Sequence, residues 1–305
     1  MWHGILVVNK ERGMSSHQVV AKLRRILGQS EIGHSGTLDP EATGVLVVGL
    51  GQATRSFQYM DEAVKIYRAE LTLGQTTDTQ DATGRIIDTQ PDMRIHRDQL
   101  EQAIGRLTGE IHQVPPMFSA VKLHGQKLYD LARQGLEVER EARPIKVYHW
   151  QIVDPQSEYT YATQLTCEIT CSKGTYIRTL IHDLGQTLGC GAHMSALIRL
   201  RSGPFSLEDA VSLSGVAEYF AAGRIEELLF SINTALSHFI PIWPQNEDLP
   251  KLVHGGKLSF DRYPASQNIG TLARALDNDS RVLAVLRLED GGTHRYWQPV
   301  KVFHY

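Results

Sequence analysis

The stretch Gly33-His34-Ser35-Gly36-Thr37-Leu38-Asp39-Pro40-Glu41-Ala42-Thr43-Gly44 leads directly into the apolar segment Val45-Leu46-Val47-Val48-Gly49-Leu50. It places one carboxylate, that of Asp39, in a Gly- and Thr-rich turn just before a predicted strand. Pro40 disfavours helical geometry at the preceding residue, so Asp39 is expected on extended or turn backbone. The glycines permit positive φ angles and the close approach of a ligand. Because the stretch contains no Lys or Arg, a charge partner for Asp39 must come from elsewhere in the fold.

Considered alone, an Asp in a turn most often caps a helix or hydrogen-bonds its own backbone. A carboxylate whose counter-charge is supplied from a distant part of the chain is also a common way to build a nucleophile. The choice between these interpretations depends on two further strings of the sequence.

The second string is Lys65-Ile66-Tyr67-Arg68-Ala69-Glu70-Leu71-Thr72-Leu73, a predicted strand that leads into a polar turn over 78–84. Strand alternation places Tyr67 on one face with Ala69, Leu71 and Leu73. A Tyr in such a row is ordinarily a core or interface aromatic. Asp81 in the turn is ordinarily a turn former.

The third string is Cys171-Ser172-Lys173-Gly174-Thr175-Tyr176-Ile177-Arg178-Thr179-Leu180, between a predicted strand and a helix predicted over 177–188 and ended by Gly189. Arg178 lies in the first turn of that helix, where the helix dipole disfavours a cation. This placement indicates that the charge is needed there. A guanidinium can fork onto a carboxylate, but an ordinary surface salt bridge is the alternative.

Other elements follow from local signals. We predict a strand over 4–9, a helix from Ser15 or Ser16 to Leu27 that ends at Gly28, and a helix over 98–107 followed by Gly109. Further strands are predicted over 145–153 and 161–171. Because strands and helices are interspersed without βαβ alternation, the pattern favours an α+β domain with a mixed sheet.

Together the three strings resemble the motifs of the pseudouridine synthases, most closely the TruB type, over most of residues 1–203. The turn Val8-Asn9-Lys10-Glu11-Arg12-Gly13-Met14-Ser15-Ser16 resembles the family's first motif, with Glu11 in place of the usual Pro. The resemblance implies a mostly antiparallel, curved mixed sheet with flanking helices. By position, the β-rich tail resembles the family's small all-β PUA-like RNA-binding domain; a plain stabilising β domain is the alternative.

The resemblance also implies a function. The protein would isomerise uridine to pseudouridine in the T-loop of tRNA, at position 55, on a flipped-out nucleotide. Asp39 would be the nucleophile, Tyr67 would stack on the base or act as a base, and Arg178 would pair with Asp39. Whether Asp39 attacks C1′ or C6, or removes a sugar proton, stays open. The resemblance further implies substrate-binding positions: Lys10, His34, Gly36, Thr37, Asp81, Tyr176 and Leu197. For Lys10 a role in supporting the cleft, and for Leu197 an ordinary helix-core leucine, are the alternatives.

The segment 114–146, the thumb segment, contains Pro115-Pro116, aromatic side chains and mixed charges. A solvated helical hairpin would explain this composition. In the family such a segment clamps the T-loop, and phosphate contacts would then fall on Lys122, His124, Lys127 and Arg143. The expected domains are a catalytic domain over 1–238, which includes the thumb segment, and a PUA-like domain over 239–305.

The whole chain has 305 residues and a formal net charge of −3, which neither requires nor excludes RNA binding through a local basic face. It contains no membrane-length apolar run and begins like a strand rather than a signal peptide, so a cytoplasmic monomer is expected. The spacing of Cys167, Cys171, Cys190 and His193 makes a zinc site conceivable, but small buried thiols are favoured. No metal or cofactor is expected, since the isomerisation transfers neither electrons nor phosphate.

Two other classes of function fit parts of the sequence. A non-catalytic RNA-binding or folding module would show the same thumb segment and C-terminal unit. A nucleoside-processing hydrolase would act on small molecules and would have no use for a basic thumb segment. An Asp39→Asn variant separates an enzyme from a binding module, and turnover of free uridine would identify the hydrolase.

Overall fold

The computed structural model describes residues 1–60, 64–119, 121–123, 125–153, 155–266, 268–292 and 294–304, with the backbone alone at 122, 123 and 127. The α-helices are α1 (Ser16–Leu27), α2 (Arg97–Arg106), α3 (Leu128–Arg133), α4 (Ile177–Leu188), α5 (Leu213–Ala221), α6 (Ile232–Ala235) and α7 (Leu249–Val253). Short 3-10 helices span Gly51–Tyr59, Leu207–Asp209 and Ile225–Leu228.

Helix ends follow their local signals. The Ser15 side chain accepts a hydrogen bond from the backbone of Gln18, whose own side chain accepts from the backbone of Ser15, and α1 stops at Gly28 with φ 62°. Helix α4 likewise stops at Gly189 with φ 71°. The prediction over 98–107 is confirmed with a shift of one residue at each end.

Strands dominate the rest of the chain. Up to residue 230 they are β1 (Gly4–Lys10), β2 (Ile32–Ser35), β3 (Thr43–Leu50), β4 (Lys65–Leu73), β5 (Gln75–Thr77), β6 (Ile86–Thr89), β7 (Arg94–His96), β8 (Gly109–Gln113), β9 (Lys122–Leu123), β10 (Gln126–Lys127), β11 (Arg143–Ile152), β12 (Glu158–Thr160), β13 (Gln164–Cys171), β14 (Ala192–Ser202), β15 (Phe205–Ser206) and β16 (Leu229–Phe230). Beyond it they are β17 (Ile240–Ile242), β18 (Leu258–Ser259), β19 (Leu272–Leu276), β20 (Val282–Asp290) and β21 (Arg295–Val302).

A ten-stranded sheet forms the centre of the molecule, in the order β16-β1-β3-β14-β4-β13-β11-β8, with β2 on β3 and β15 on β14. All of its strand pairs are antiparallel except β14 with β3. That parallel pair joins Ile198 to Thr43 and Arg199 to Gly44. The expected mixed, mostly antiparallel sheet is therefore confirmed, and its two halves meet where the Asp39 turn enters β3.

Both faces of β1 and β3 are covered, which explains their continuous apolar sequences. One face lies under α1 and α5, and the other packs against the C-terminal β-sheet. That second sheet has the order β17-β19-β20-β21-β18. A third apolar cluster fills the space between β4, β13 and β14 and the helices α2 and α4. No helix among the described residues is long and apolar enough to span a bilayer.

Two alternatives from the sequence are wrong. The thumb segment is not a helical hairpin. Where described, it forms the β9–β10 hairpin, the short α3 and the start of β11, residues 143–146. The pairs Pro115-Pro116 and the positive φ angles at Gly125 and Gly135 interrupt any longer helix. Leu197 lies on strand β14, not on a helix. The strands predicted to start at 145 and 161 start at Arg143 and Gln164.

Candidate active site

The Asp39 loop, residues 35–44, connects β2 to β3 above the junction of the two half-sheets. Its carboxylate is held by Arg178 of α4: Nε of Arg178 lies 3.0 Å from Oδ2 of Asp39, and Nη2 lies 3.4 Å from Oδ1. The Arg178 side chain is 5% exposed, whereas that of Asp39 is 38% exposed. A buried cation thus fixes an acid that still faces solvent, which is the geometry a nucleophile requires.

Arg178 has further acceptors that fix its own position. It donates to the backbone oxygens of Thr79 at 3.3 Å and Phe118 at 3.0 Å, and its Nη1 lies 3.7 Å from Oδ2 of Asp81. Through Phe118, the base of the thumb segment contacts the same guanidinium. Asp81 is itself held by hydrogen bonds from Thr79 and Thr83. Asp81 therefore acts as a turn former and also lies beside the ion pair.

Lys10 and Ser16 support the loop from the β1–α1 side. The Lys10 ammonium donates to the backbone oxygens of Glu11, Met14 and Pro40 at 2.6–2.9 Å. The hydroxyl of Ser16 accepts from the amide of Leu38 and donates to its carbonyl. Lys10 is 1% exposed, and its three hydrogen bonds go to backbone oxygens, which suits the alternative role of supporting the loop.

Burial lowers the pKa of Lys10 to about 8, against the opposing attraction of the Asp39 and Glu41 carboxylates. Desolvation of the ammonium therefore lowers the pKa by more than the two carboxylates raise it. Its protonation state changes within a pH range accessible to experiment.

Tyr67 and Leu197 lie under the Asp39 loop. Tyr67 on β4 is 6% exposed and Leu197 on β14 is 7% exposed, and both belong to the apolar cluster that includes Leu38 of the loop. Burial raises the pKa of Tyr67, and the positive charge of Arg199 opposes that shift. At neutral pH the ring therefore carries a protonated hydroxyl. The structure therefore brings an apolar side chain and one aromatic ring together beside the Asp39 loop.

His34, Gly36 and Thr37 form the first part of the loop and its approach. His34 on β2 stacks edge-on with His17, their ring centroids 5.2 Å apart. Its Nδ1 is buried without a hydrogen-bond partner in the described part of the chain. Burial, with a smaller contribution from His17, lowers the pKa of His34, so the ring is neutral at pH 7. Gly36 has φ +82°, and Thr37 is exposed.

Tyr176 is the residue that precedes α4. Its backbone amide donates to the Gln113 side chain and its carbonyl accepts from the same side chain, at 2.8 and 3.0 Å. This double contact from β8 fixes the start of α4, two residues before Arg178. The Tyr176 side chain is partly exposed.

Of the residues expected to contact the RNA backbone, Arg143 is the one whose side chain the structure describes. Arg143 is exposed at the start of β11, where its backbone pairs with Gln113. Lys122 and Lys127 pair with each other in the β9–β10 hairpin; their side chains, and all of His124, lie outside the described residues. In the part of the chain that is described, no group of three His, Cys, Asp or Glu side chains could hold a metal ion.

Arg199 is a site residue that the sequence analysis did not identify. It is fully buried on β14 and donates to the backbone oxygens of Gly36, Thr37 and Val45. A signal was available: once 192–202 is taken as a strand, Arg199 falls on the same face as Leu197, where a charged side chain is out of place.

The fold and the matches to family models identify a pseudouridine synthase, the class expected from the sequence motifs. The family model described as "TruB family pseudouridylate synthase (N terminal domain)" matches residues 24–177, and that of the "tRNA pseudouridylate synthase B C-terminal domain" matches 178–240. This chain belongs to the TruB family of pseudouridylate synthases.

Individual relatives agree with this assignment. A tRNA pseudouridine synthase B of Geobacillus thermodenitrificans is 45% identical over 84% of this chain and 85% of its own. That of Streptococcus pneumoniae is 40% identical over 99% of both chains. Among solved structures, a chain of a Cbf5-Nop10-Gar1 complex has a TM-score of 0.77 and 28% identity, covering 99% of this chain and 85% of its own. A chain of an H/ACA RNP bound to a substrate RNA containing 2'-deoxyuridine has a TM-score of 0.76, 25% identity and similar coverage, 99% and 86%.

Proposed function

We propose that this protein isomerises uridine to pseudouridine in the T-loop of tRNA, at position 55, with Asp39 as the nucleophile. The observation that carries the proposal is the Asp39–Arg178 pair, in which a buried guanidinium fixes a partly exposed carboxylate. The tRNA substrate is supported by the names of relatives that match 84% and 99% of this chain.

The pairing gives the carboxylate a fixed orientation and a positive charge beside it, since Nε of Arg178 lies 3.0 Å from Oδ2 of Asp39. In the reaction the N1–C1′ glycosidic bond breaks, the uracil turns within the site, and C5 bonds to C1′. The proton on C5 is released and N1 takes up a proton, so the base keeps its composition and no cofactor is required.

The base would lie between Tyr67 and the wall formed by Leu197, with Tyr176 at the mouth. An aromatic ring replaces part of the stacking that a flipped uridine loses. His34, with Gly36 and Thr37 beside it, would fill the space that the nucleotide leaves.

The thumb segment would bind the T-arm of the tRNA, with Arg143, Lys122 and Lys127 near phosphates. The proposed division is a catalytic domain over 1–238 and a PUA-like domain over 239–305, acting as a cytoplasmic monomer. Loops of single-stranded RNA suit this mode because little stacking must be broken.

The test is site-specific mapping on unmodified tRNA transcript. Incubation with the protein is expected to place one pseudouridine at position 55, detected by mass spectrometry after selective chemical tagging. A transcript with cytidine at that position serves as the matched control and should yield none. Modification at other uridines instead would overturn the assignment of position, and conversion of free uridine with no change in tRNA would indicate a nucleoside-processing enzyme.

A further inference from the structure

Arg199 lies between the two strands that carry the proposed chemistry. On β14 its backbone is paired with Tyr67 of β4 on one side and with Gly44 of β3 on the other. Its side chain is fully buried. A long, charged side chain at the centre of the sheet must therefore be held by groups of the protein rather than by water.

The Arg199 guanidinium contacts both ends of the Asp39 loop. At the start of the loop, Nη2 donates to the oxygen of Gly36 at 3.2 Å and Nη1 lies 3.4 Å from the oxygen of Thr37. At the end of the loop, Nε donates to the oxygen of Val45 at 2.7 Å. Asp39 lies between these two points. Lys10 and Ser16, by contrast, each hold the loop only near its apex, through Pro40 and Leu38.

The close packing of Gly44 adds to this contact. Gly44 has φ +95°, and a Cβ at this position would lie 2.3 Å from the backbone oxygen of Arg199. The end of the loop therefore lies directly against the Arg199 backbone, while its start rests on the Arg199 side chain. One residue therefore contacts both ends of the loop, just beyond the point where Ser35 of β2 pairs with Val47 of β3.

Within the described residues, no ion pair joins Arg199 to a carboxylate. Burying a cation without a paired anion is costly, and an apolar side chain of similar size would ordinarily be as stable or more so. The buried guanidinium is instead held by three backbone oxygens and by a contact to the Tyr67 hydroxyl, so that it connects the Asp39 loop with Tyr67. Because this burial is costly, we expect Arg199 to have a role in the site and not in folding alone.

We propose that Arg199 is a positioning residue for the reaction: it fixes the Asp39 loop at both ends and thereby sets the height of the Asp39 carboxylate above Tyr67. This rests on the function proposed above. A lysine cannot replace it, because a single ammonium cannot span the two ends of the loop as the planar guanidinium fork does.

Positioning predicts a specific kinetic pattern. Arg199 is buried and does not meet RNA, so its loss should leave RNA binding nearly unchanged and slow the chemical step. A displacement of a reacting group by about 1 Å can cost on the order of 100-fold in rate. We therefore expect single-turnover rates on tRNA transcript to fall about 100-fold in Arg199→Met and at least about 10-fold in Arg199→Lys, with the RNA dissociation constant within about twofold.

The matched control is Arg274→Met. Arg274 also donates from a partly buried guanidinium to backbone oxygens, those of Leu236 and Phe239, but it lies in the C-terminal sheet. Single-turnover rates are measured well below the melting temperature of each variant, so that a loss of stability does not reduce the folded fraction. Arg274→Met is expected to keep the wild-type rate even where its stability falls.

Hydrogen exchange gives a second readout that does not depend on activity. Amides of residues 35–44 should exchange about tenfold faster or more in Arg199→Met, and in Arg199→Lys if the Met variant does not fold, but not in Arg274→Met. A wild-type rate in Arg199→Lys, or unchanged exchange over 35–44, would overturn the proposal. So would equal losses of binding and rate. A wild-type protein without activity on tRNA would instead refute the proposed function, and hydrogen exchange would still decide the role of Arg199.

Discussion

Arg178 shows at the scale of one residue how a buried charge is made tolerable. Its guanidinium meets the Asp39 and Asp81 carboxylates and the backbone oxygens of Thr79 and Phe118. These acceptors come from separate parts of the chain, so the side chain has one orientation that satisfies them together. The Asp39 carboxylate is fixed as a consequence.

Replacing Arg178 by Lys keeps the charge and removes the fork. We expect the single-turnover rate to fall on the order of 100-fold, since the carboxylate loses its fixed orientation. Because Asp39 is 38% exposed, water can solvate it, and the free energy of unfolding should fall by only about 1–3 kcal/mol rather than the larger loss of a fully buried pair. Rates and chemical denaturation of the variant measure both effects; a rate near that of the wild type would show that the pair is not needed.

Lys10 predicts a dependence of the rate on pH. Protonated, its ammonium has three N–H groups for three backbone oxygens; neutral, it has two. With a pKa of about 8, the rate of the chemical step should decline as the pH rises through that value. Single-turnover rates between about pH 6 and about pH 9.5 provide the measurement. Lys10→Arg stays protonated and should lack this decline, while any titration of the substrate remains.

As the pH rises through about 8, the titration of Lys10 should lower the rate but raise the stability of the fold. A decline in rate over this range would therefore not result from unfolding. The pKa is lowered from 10.5 to about 8, so between these values the unfolded chain binds more protons than the folded chain. The contribution of Lys10 to the free energy of unfolding therefore increases with pH over this range. A rate that stays constant through pH 8 in the wild type would contradict the assigned role.

At the scale of elements, the junction of β3 and β14 decides where the site lies. Gly44→Ala should destabilise the protein by more than about 3 kcal/mol, because it combines a positive φ with a Cβ placed 2.3 Å from the Arg199 oxygen. Gly28→Ala is the matched control: its φ is also positive, but a Cβ there meets nothing within 4 Å. It should cost about 1 kcal/mol. Thermal and urea unfolding compare the two, and equal losses would show that the close approach is unimportant.

Elements with strong local signals could be predicted from the sequence, and others could not. Caps and periodicity define α1 and α4, and alternation defines β4. Strand β14 escaped prediction because bulges between Met194 and Ala196 and between Arg199 and Arg201 break its alternation. The contact between Arg178 and Asp39 was expected only from family resemblance, since no local rule relates residues 139 positions apart. The role of Arg199 depends on which backbone oxygens the folded loop presents, and composition carries no information on that.

At the scale of the whole molecule, the two sheets share one apolar core. Phe303, Val282 and Leu276 of the C-terminal part lie in one cluster with Ile5 and Val47 of the central sheet. The proposed PUA-like domain therefore covers a face of β1 and β3 that would otherwise be exposed. The two parts are expected to unfold together.

Phe303→Ala tests this coupling. Phe303 is 2% exposed, and its truncation should cost about 3–5 kcal/mol through lost burial and the cavity left behind. Calorimetry should show a single transition at a lower temperature, in which the central sheet and the C-terminal sheet unfold together. Trp243→Ala, at a side chain 57% exposed in the same part of the chain, should change stability by less than about 0.5 kcal/mol. A separate early transition that leaves the central sheet unchanged would contradict the shared core.

The most direct test of the central claim compares wild-type protein with Asp39→Asn on the same tRNA transcript. Asparagine keeps the shape of the side chain and removes its charge and nucleophilicity. The account predicts that pseudouridine formation falls by at least about 1,000-fold while the RNA dissociation constant changes by no more than about twofold. A variant that still forms pseudouridine at a rate near that of the wild type would contradict it.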